Sequence, residues 1–451
     1  MKEPLNIIYI VCHDLGRHLG CYGAGVKTPN LDRFARDNIQ FNQAFCTSAV
    51  CSPSRGCAMT GLYSHNNGLM GLSHFGWRVS DDVKTIVDYF NDAGYETVHC
   101  GLSHEGEEGS LRYQVEHETT WKSRNVESSV NDAIAYLENH KPDDRPFYLN
   151  VGTQEVHRCI WGKDVDGEGN PSRLHSVYGG PVPDEEVDVP PGTPDIPLFR
   201  DLFARFHAAI QYMDSEVGRL LDAIDKLGYS ENSLVVFTTD HGISNLRSKG
   251  TLYDAGMATT LLAQMPGEFK KQMRVDSLVQ NIDFVPTLLE ATGQPVPEAL
   301  LGRSFWPLLA GDAYRPHDHI FTEWNFGGPV EDYSPVRAIR TERWHYLRNF
   351  NENLSYRLLP DEIPADAGPD LFTPKFGAPC VDETRTQAMI ELYDLQNDPL
   401  ELNNLAEDPE CETICRELDE KISGWMHATD DYLLTGEKPI PSAPPGFAPL
   451  A

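Results

Sequence analysis

Asn6-Ile7-Ile8-Tyr9-Ile10-Val11-Cys12 runs directly into His13-Asp14-Leu15-Gly16, and this junction decides the fold class. A β-branched, apolar run without polar alternation reads as a strand covered on both faces. The polar residues that follow it emerge at the strand's carboxyl tip. Working outward, Thr28-Pro29-Asn30 opens a helix with Leu31, Phe34 and Ala35 on one face. An amphipathic stretch at 83–93 leads into a short strand at 97–100, and a helical pattern at 130–137 into a strand at 147–151. A Pro/Gly-rich acidic loop (178–197) precedes a long helix expected over 198–227. A second buried strand, 233–239, ends in Asp240-His241-Gly242, and the pattern continues through 261–265 and a helix over 284–291. Strands alternating with helices predict an α/β fold: a large mixed, mostly parallel sheet sandwiched by helices. Ligands collect at the carboxyl ends of such strands, where both His13-Asp14 and Asp240-His241 fall.

Beyond residue 316 the pattern changes. Segments 320–324, 336–340 and 344–348 read as short antiparallel strands, followed by a helix over 412–427 and a Pro-rich tail. The expected organisation is a catalytic domain over 1–315 and a smaller C-terminal α+β subdomain over 316–451.

Composition narrows the function. The chain has 451 residues, 40% of them hydrophobic, and carries a formal charge of -31. Such a surface repels nucleic acid and anionic membranes, so neither is an expected partner. An anionic substrate can bind only where local cations overcome that field. No apolar run approaches the roughly 20 residues of a membrane span. The opening residues lack the pattern of a secretory leader, so the expectation is a cytoplasmic chain, with an exported form already trimmed of its leader as the alternative. The ten cysteines show neither zinc-site spacing nor the density of a small disulfide framework.

Cys51 stands apart from the others. Cys51-Ser52-Pro53-Ser54-Arg55-Gly56, within Ala49 to Leu62, places a cysteine at the start of an expected helix. The helix dipole and a nearby arginine both favour negative charge on such a thiol. The bland alternative is a buried thiol beside a capping serine.

That segment resembles the signature of the type I sulfatases, the formylglycine-dependent branch of the alkaline phosphatase superfamily. Further similarities follow in order along nearly the whole chain: the first strand with Asp14, Thr28-Pro29-Asn30-Leu31-Asp32, Gly101 to His104, Thr239-Asp240-His241-Gly242, Lys249-Gly250-Thr251-Leu252-Tyr253 and, near the end, Glu391 to Leu395 and Asp398 to Leu405. Pro53-Ser54-Arg55 and His157-Arg158-Cys159 look most like heparan N-sulfatase-like members.

The resemblance implies that Cys51 is converted by a formylglycine-generating maturation enzyme. One hydroxyl of the aldehyde hydrate would then attack sulfur and the other expel sulfate, which is covalent catalysis with a built-in release step. It also implies that Asp14, Asp240, His241 and residue 51 hold one divalent cation. Ca²⁺ leads for oxygen ligands, with Mg²⁺ next. Arg55, His104, His157 and Lys249 match the family's catalytic positions, His157 as a general acid. The substrate implied is a sulfate ester or sulfamate, on a small molecule or oligosaccharide.

Two positions depart from the family pattern. His13 stands where the first of two aspartates is usual; it would join the metal, favouring Mn²⁺ or Zn²⁺, or orient Asp14. Leu102 stands where the family lysine contacts sulfate, so that cation is missing. His74, Arg17 and His18 could line the pocket, and Trp161, Trp324 and Trp344 could supply a stacking surface for a sugar. Two competing readings are a phosphonate monoester or phosphodiester hydrolase using the same nucleophile, and a non-catalytic sugar-binding relative.

Overall fold

The computed structural model describes residues 4–105, 111–117, 125–141, 145–158, 163–164, 170–267, 272–327, 333–351 and 388–442. Cys159, Trp161 and the end of the Pro-rich tail lie outside the described residues. The strands are β1 (Asn6–Cys12), β2 (Ile39–Phe41), β3 (Ala44–Phe45), β4 (Glu96–Gly101), β5 (Val115–Glu116), β6 (Phe147–Gly152), β7 (Ser233–Thr239), β8 (Leu261–Gln264), β9 (Met273–Val275), β10 (Val279–Gln280), β11 (His319–Phe326), β12 (Tyr333–Thr341), β13 (Trp344–Asn349) and β14 (Ile390–Asp394). The longer helices are α1 (Pro29–Asp37), α2 (Cys51–Thr60), α3 (Ile86–Asp92), α4 (Val126–Asn139), α5 (Pro197–Lys226), α6 (Phe284–Ala291) and α7 (Glu412–Ala428).

An eight-stranded sheet in the order β5-β4-β6-β1-β7-β8-β2-β9 forms the centre. β1 lies between β6 and β7, parallel to both, with Ile8 opposite Leu149 on one side and Val235 on the other. Its side chains alternate between two cores, as strand geometry requires. Ile8, Ile10 and Cys12 pack with α1, α4 and α5, while Ile7, Tyr9 and Val11 pack with α3 and α6. Full burial of each such aliphatic side chain contributes about 1.5–3 kcal/mol, which is why the run carries no polar alternation. On α5, Phe199, Phe203, Phe206, Ile210, Met213, Val217, Leu220 and Ile224 recur at helical spacing and bury one stripe against the same core.

The sheet is mixed because β8 runs antiparallel to both β7 and β2. The short strands β2, β5 and β9, with the separate β3–β10 pair, carried no periodicity in the sequence. Two or three residues cannot establish a period of two.

A second, antiparallel sheet has the order β11-β12-β13-β14. One face takes Leu418, Ile422, Trp425 and Met426 of α7 against Ile339, Tyr346 and Leu392. The other, through Trp324, Val336, Ala338, Leu347 and Tyr393, packs on Phe45, Cys46, Ala49 and Val50. The smaller sheet therefore buttresses the chain immediately before Cys51. No helix of the described residues is long and apolar enough to cross a membrane.

Candidate functional site

The site is assembled at the carboxyl tips of β1, β4, β6 and β7 with the amino end of α2. β1 and β7 are in register from Asn6–Ser233 to Cys12–Thr239, so His13-Asp14 and Asp240-His241 leave the sheet side by side. Asp14 turns through the left-handed region (φ 54), a conformation Asp tolerates better than most residues. Its backbone N–H donates to Asp240 Oδ1 at 3.0 Å, and Leu15 N–H donates to Thr239 Oγ1 at 3.2 Å. These bonds lock the two strand tips together.

α2 brings Cys51 into the same space as its first residue, with Val50 as an extended N-cap. Nine of its ten residues are buried, unusual for a helix with so few apolar side chains, so polar contacts must fix it. Ser54 Oγ donates to the Asp240 carbonyl, and Asn281 Nδ2 donates to the Ser54 carbonyl at 2.9 Å. Asn281 Oδ1 in turn accepts from Thr47 N–H at 3.1 Å.

His13, Asp14, Cys51, Asp240 and His241 each offer a ligand atom, all within 4.8 Å of one another, and all five residues are buried. His13 Nδ1 lies 2.7 Å from Asp14 Oδ1 and 3.1 Å from Asp240 Oδ2. His241 Nε2 stands 3.3 Å from Asp14 Oδ1 and 3.4 Å from Cys51 Sγ. Its Nδ1 faces the Gly242 carbonyl at 2.9 Å, so a proton there leaves the Nε2 lone pair pointing into the cluster. Two carboxylates, two imidazoles and residue 51 make a donor set that fits a divalent cation.

Electrostatics point the same way. Burial opposes ionisation of Asp14, yet Lys249, His157, His13 and His241 outweigh it and hold the carboxyl below its ordinary range. Burial likewise opposes the Cys51 thiolate, and Lys249, His13 and His241 reverse that, pulling the thiol well down. Burial would lower His13, but Asp240, the Cys51 thiolate and Asp14 raise it to about 10. The pocket is thus built to hold negative charge at residue 51 and positive charge beside it.

The remaining expected residues surround this cluster. Arg55 Nε donates to Asp240 Oδ2 at 3.0 Å and Nη2 to the Cys12 carbonyl at 3.3 Å, tying α2 to both strand tips. Lys249 Nζ donates to Asp14 Oδ2 at 2.7 Å and lies 3.3 Å from His157 Nε2. With the ammonium alongside, that imidazole nitrogen is an acceptor; burial and Lys249 together push His157 down to about 3. His104 turns its side chain toward the Cys51 sulfur. It reaches there because the chain bends at Gly101 (φ +96), where any Cβ would sit 2.0 Å from Ser129 Oγ and 2.2 Å from the Gly152 carbonyl.

Glu105 escaped the sequence reading. It is 2% exposed, accepts from His104 N–H at 2.8 Å, and lies 3.6 Å from Arg55 Nη1, a buried donor otherwise without a hydrogen-bond partner among the described residues. Its position next to His104 was the only signal available. Asn281 had none.

Four weaker candidates lie elsewhere. Arg17 packs over Phe45 (4.9 Å to the ring centroid) and donates to the Ala44 carbonyl. His18 turns into the α5 core, Nε2 to Nε2 with His207 at 2.9 Å. Trp324 is buried with its Nε1 bonded to Ser334, and Trp344 stacks under the Arg343 guanidinium. The two indoles pack as core and edge residues instead of forming a sugar platform. His74 stays close to the site, its ring parallel to that of His104 at 5.9 Å.

Known proteins match along this architecture. The family model described as Sulfatase matches residues 5–294, and the model described as N-sulphoglucosamine sulphohydrolase, C-terminal, matches 241–365. An ulvan-active sulfatase from Formosa agariphila is 30% identical over 99% of this chain and 84% of its own length. Human N-sulphoglucosamine sulphohydrolase is 28% identical over 95% of this chain and 91% of its own. Among solved structures, one in complex with its substrate D-glucosamine-2-N,6-O-disulfate superposes with TM-score 0.72 at 19% identity, covering 99% of this chain and all (100%) of that one. The phosphonate monoester hydrolase of Agrobacterium radiobacter superposes with TM-score 0.69 at 18% identity, covering 94% and 96%. At such identities the structural matches establish the shared fold. The full-length sequence match and the family model establish more: this chain belongs to the sulfatase family, the hydrolases of sulfate esters.

Proposed function

We propose that the chain hydrolyses a sulfate ester or sulfamate carried by a carbohydrate, with the nucleophile on residue 51 after conversion of Cys51 to formylglycine. The observation that carries this reading is the convergence of Cys51, at the amino end of a buried helix, with four metal-ligating side chains from two distant strand tips. The relatives support the substrate class: one is named for ulvan and another for N-sulphoglucosamine.

Asp14, Asp240 and His241 would hold a divalent cation together with residue 51, and His13 stands close enough to join them. Carboxylate oxygens favour Ca²⁺, while each added imidazole moves the preference toward Mn²⁺ or Zn²⁺. A bound cation would lower the cost of negative charge on the nucleophilic oxygen that the matured side chain supplies. The protein's own groups do the rest. Arg55 fixes Asp240 against the strand tips, and Glu105 holds both Arg55 and the backbone of His104. Lys249 stabilises charge on Asp14 and on the sulfuryl oxygens. A proton passes from the Lys249 ammonium to His157 Nε2, 3.3 Å away, and from there to the leaving atom, so that the amine ends neutral and the imidazole ends as it began. His104 orients residue 51. Leu102 contributes no cation, so sulfate binding rests more heavily on Lys249 and the metal.

Peptide mass spectrometry of the Cys51 segment tests the nucleophile, using protein made in a host with the maturation enzyme; an aldehyde or its hydrate is expected. O-sulfated and N-sulfated monosaccharides, a phosphodiester and a phosphonate monoester, assayed side by side, test the leaving group. Turnover of sulfated sugars that disappears with chelator and returns with Ca²⁺ is the expected outcome. An active enzyme with an unmodified thiol at 51, or a phosphonate preferred to every sulfate, would sink the reading.

A further inference from the structure

His74 is left unused by the chemistry above, yet the fold presents it carefully. The 3₁₀ turn Ser73–Phe75 is pinned to the first turn of α2: Ser73 N–H donates to Ser52 Oγ at 3.1 Å, and the two hydroxyls lie 3.3 Å apart. Behind the turn, Leu69, Trp77 and Phe326 form a small buried cluster against which Met70 and Phe75 pack. Gly71 lies close against the Trp77 indole, with room for no Cβ (2.5 Å to Cδ1). A side chain on such a turn is held by its support, not free to sweep through solvent.

The ring itself sits at the end of a row of imidazoles. His157 and His13 are 4.7 Å apart between centroids, His13 and His104 5.8 Å, and His104 and His74 5.9 Å with planes within 7°. Phe75 closes one side of His74 at 4.4 Å. Its Nδ1 is buried and makes no hydrogen bond among the described residues. The residue as a whole is half-buried, which leaves the Nε2 edge as its accessible side. His13 and His104 flank residue 51 directly, whereas His74 lies one ring further out. His74 therefore stands one ring removed from residue 51, at the margin of the site.

We propose that His74 is a substrate-binding residue that hydrogen-bonds a polar substituent of the sugar carrying the scissile sulfate. The inference rests on the carbohydrate reading above and deepens it: at one end of the imidazole row His157 serves the leaving atom, and at the other end His74 serves a polar substituent of the same sugar. A contact to the sugar alone is made equally in ground and transition states, so its loss raises KM and spares kcat.

The test compares wild type, His74→Ala and His74→Gln on two substrates: the sulfated monosaccharide turned over fastest in the panel, and 4-nitrophenyl sulfate, which has no sugar. His74→Ala is expected to raise KM for the sugar about tenfold, the loss of one well-placed hydrogen bond. Its kcat should change less than about twofold and its aryl sulfate kinetics not at all. His74→Gln, which keeps a donor at a similar reach, should recover most of the sugar KM. Unchanged sugar KM in both variants overturns the inference while leaving the sulfatase reading intact. An equal loss on both substrates also overturns it, because a packing role or a sulfuryl contact would act on both. Wild type active on 4-nitrophenyl sulfate but on no sulfated sugar overturns the carbohydrate reading, and this inference with it.

Discussion

Arg55 carries a permanent charge to a position 2% exposed, and the surroundings make that tolerable: Asp240 at 3.0 Å, the Cys12 carbonyl at 3.3 Å and Glu105 at 3.6 Å. Removing one member of a buried, hydrogen-bonded charge group leaves the others uncompensated and typically costs about 3–5 kcal/mol. Arg55→Met should therefore lower the thermal midpoint by several degrees in addition to reducing activity. Calorimetry of the metal-free protein isolates this effect from any change in cation affinity. A melting curve matching wild type would show that the pair contributes little to the fold. The residue itself was legible from the Cys51 motif, four positions along the same helix. Its partners were not, since nothing local links residue 55 to 105 or 240. The same division holds for His74, whose neighbourhood to Cys51 in sequence said nothing of the stack with His104.

At the scale of elements, β1 and β7 were readable because each is a seven-residue run buried throughout, and α5 because its apolar stripe, from Phe199 to Ile224, recurs along a thirty-residue helix. β2, β5 and β9 were not, being only two or three residues long and held by their neighbours. The turn after β1 meets α5 through a buried histidine pair, His18 and His207, joined Nε2 to Nε2 at 2.9 Å. Burial, with His207 adding to it, lowers His18 to about 3; burial lowers His207 too, although Asp188 opposes that. A base held neutral in the folded state but free to ionise when unfolded makes stability fall with acidity. The contribution is complete above pH 6.5 and is lost as pH drops toward 3. For His18 alone the loss is on the order of 2 kcal/mol by pH 5. Denaturant unfolding between pH 7 and 5 measures it, and His18→Gln should decline less steeply. Parallel curves for the two proteins would remove His18 from the explanation.

Across the whole molecule, the smaller sheet is tied to its surroundings by a buried polar network as well as by apolar packing. Arg337 of β12, fully buried, donates twice to Asp431 (Nη2 at 3.0 Å) and lies 3.7 Å from Glu323 of β11. Glu323 also accepts from Ser64 and from His65 N–H at 3.0 Å, in the short helix that follows α2. The network thus connects the short helix after α2, the smaller sheet and the segment after α7. Arg337→Met should destabilise by about 3–5 kcal/mol and detach the C-terminal elements first. Hydrogen exchange would register this as lost protection in β12–β14 before β1 and β7. Uniform loss across both sheets would instead mean that they unfold as one unit.

Read alone, the sequence carried the α/β class, the placing of the acids at strand tips and, through the Cys51 motif, the likeness to the sulfatase family. Each of those is written in local signals: hydrophobic period, strand length, and a motif whose chemistry depends on neighbours a few positions apart. Who faces whom emerged only from the folded arrangement. It turned Arg17 and His18 away from the pocket, buried Trp324 in the core, brought Glu105 between Arg55 and His104, and set Asn281 under α2. The physical reason is that partnership across a fold is fixed by strand register and by the packing of distant segments, and neither leaves a mark on the residues adjacent in the chain.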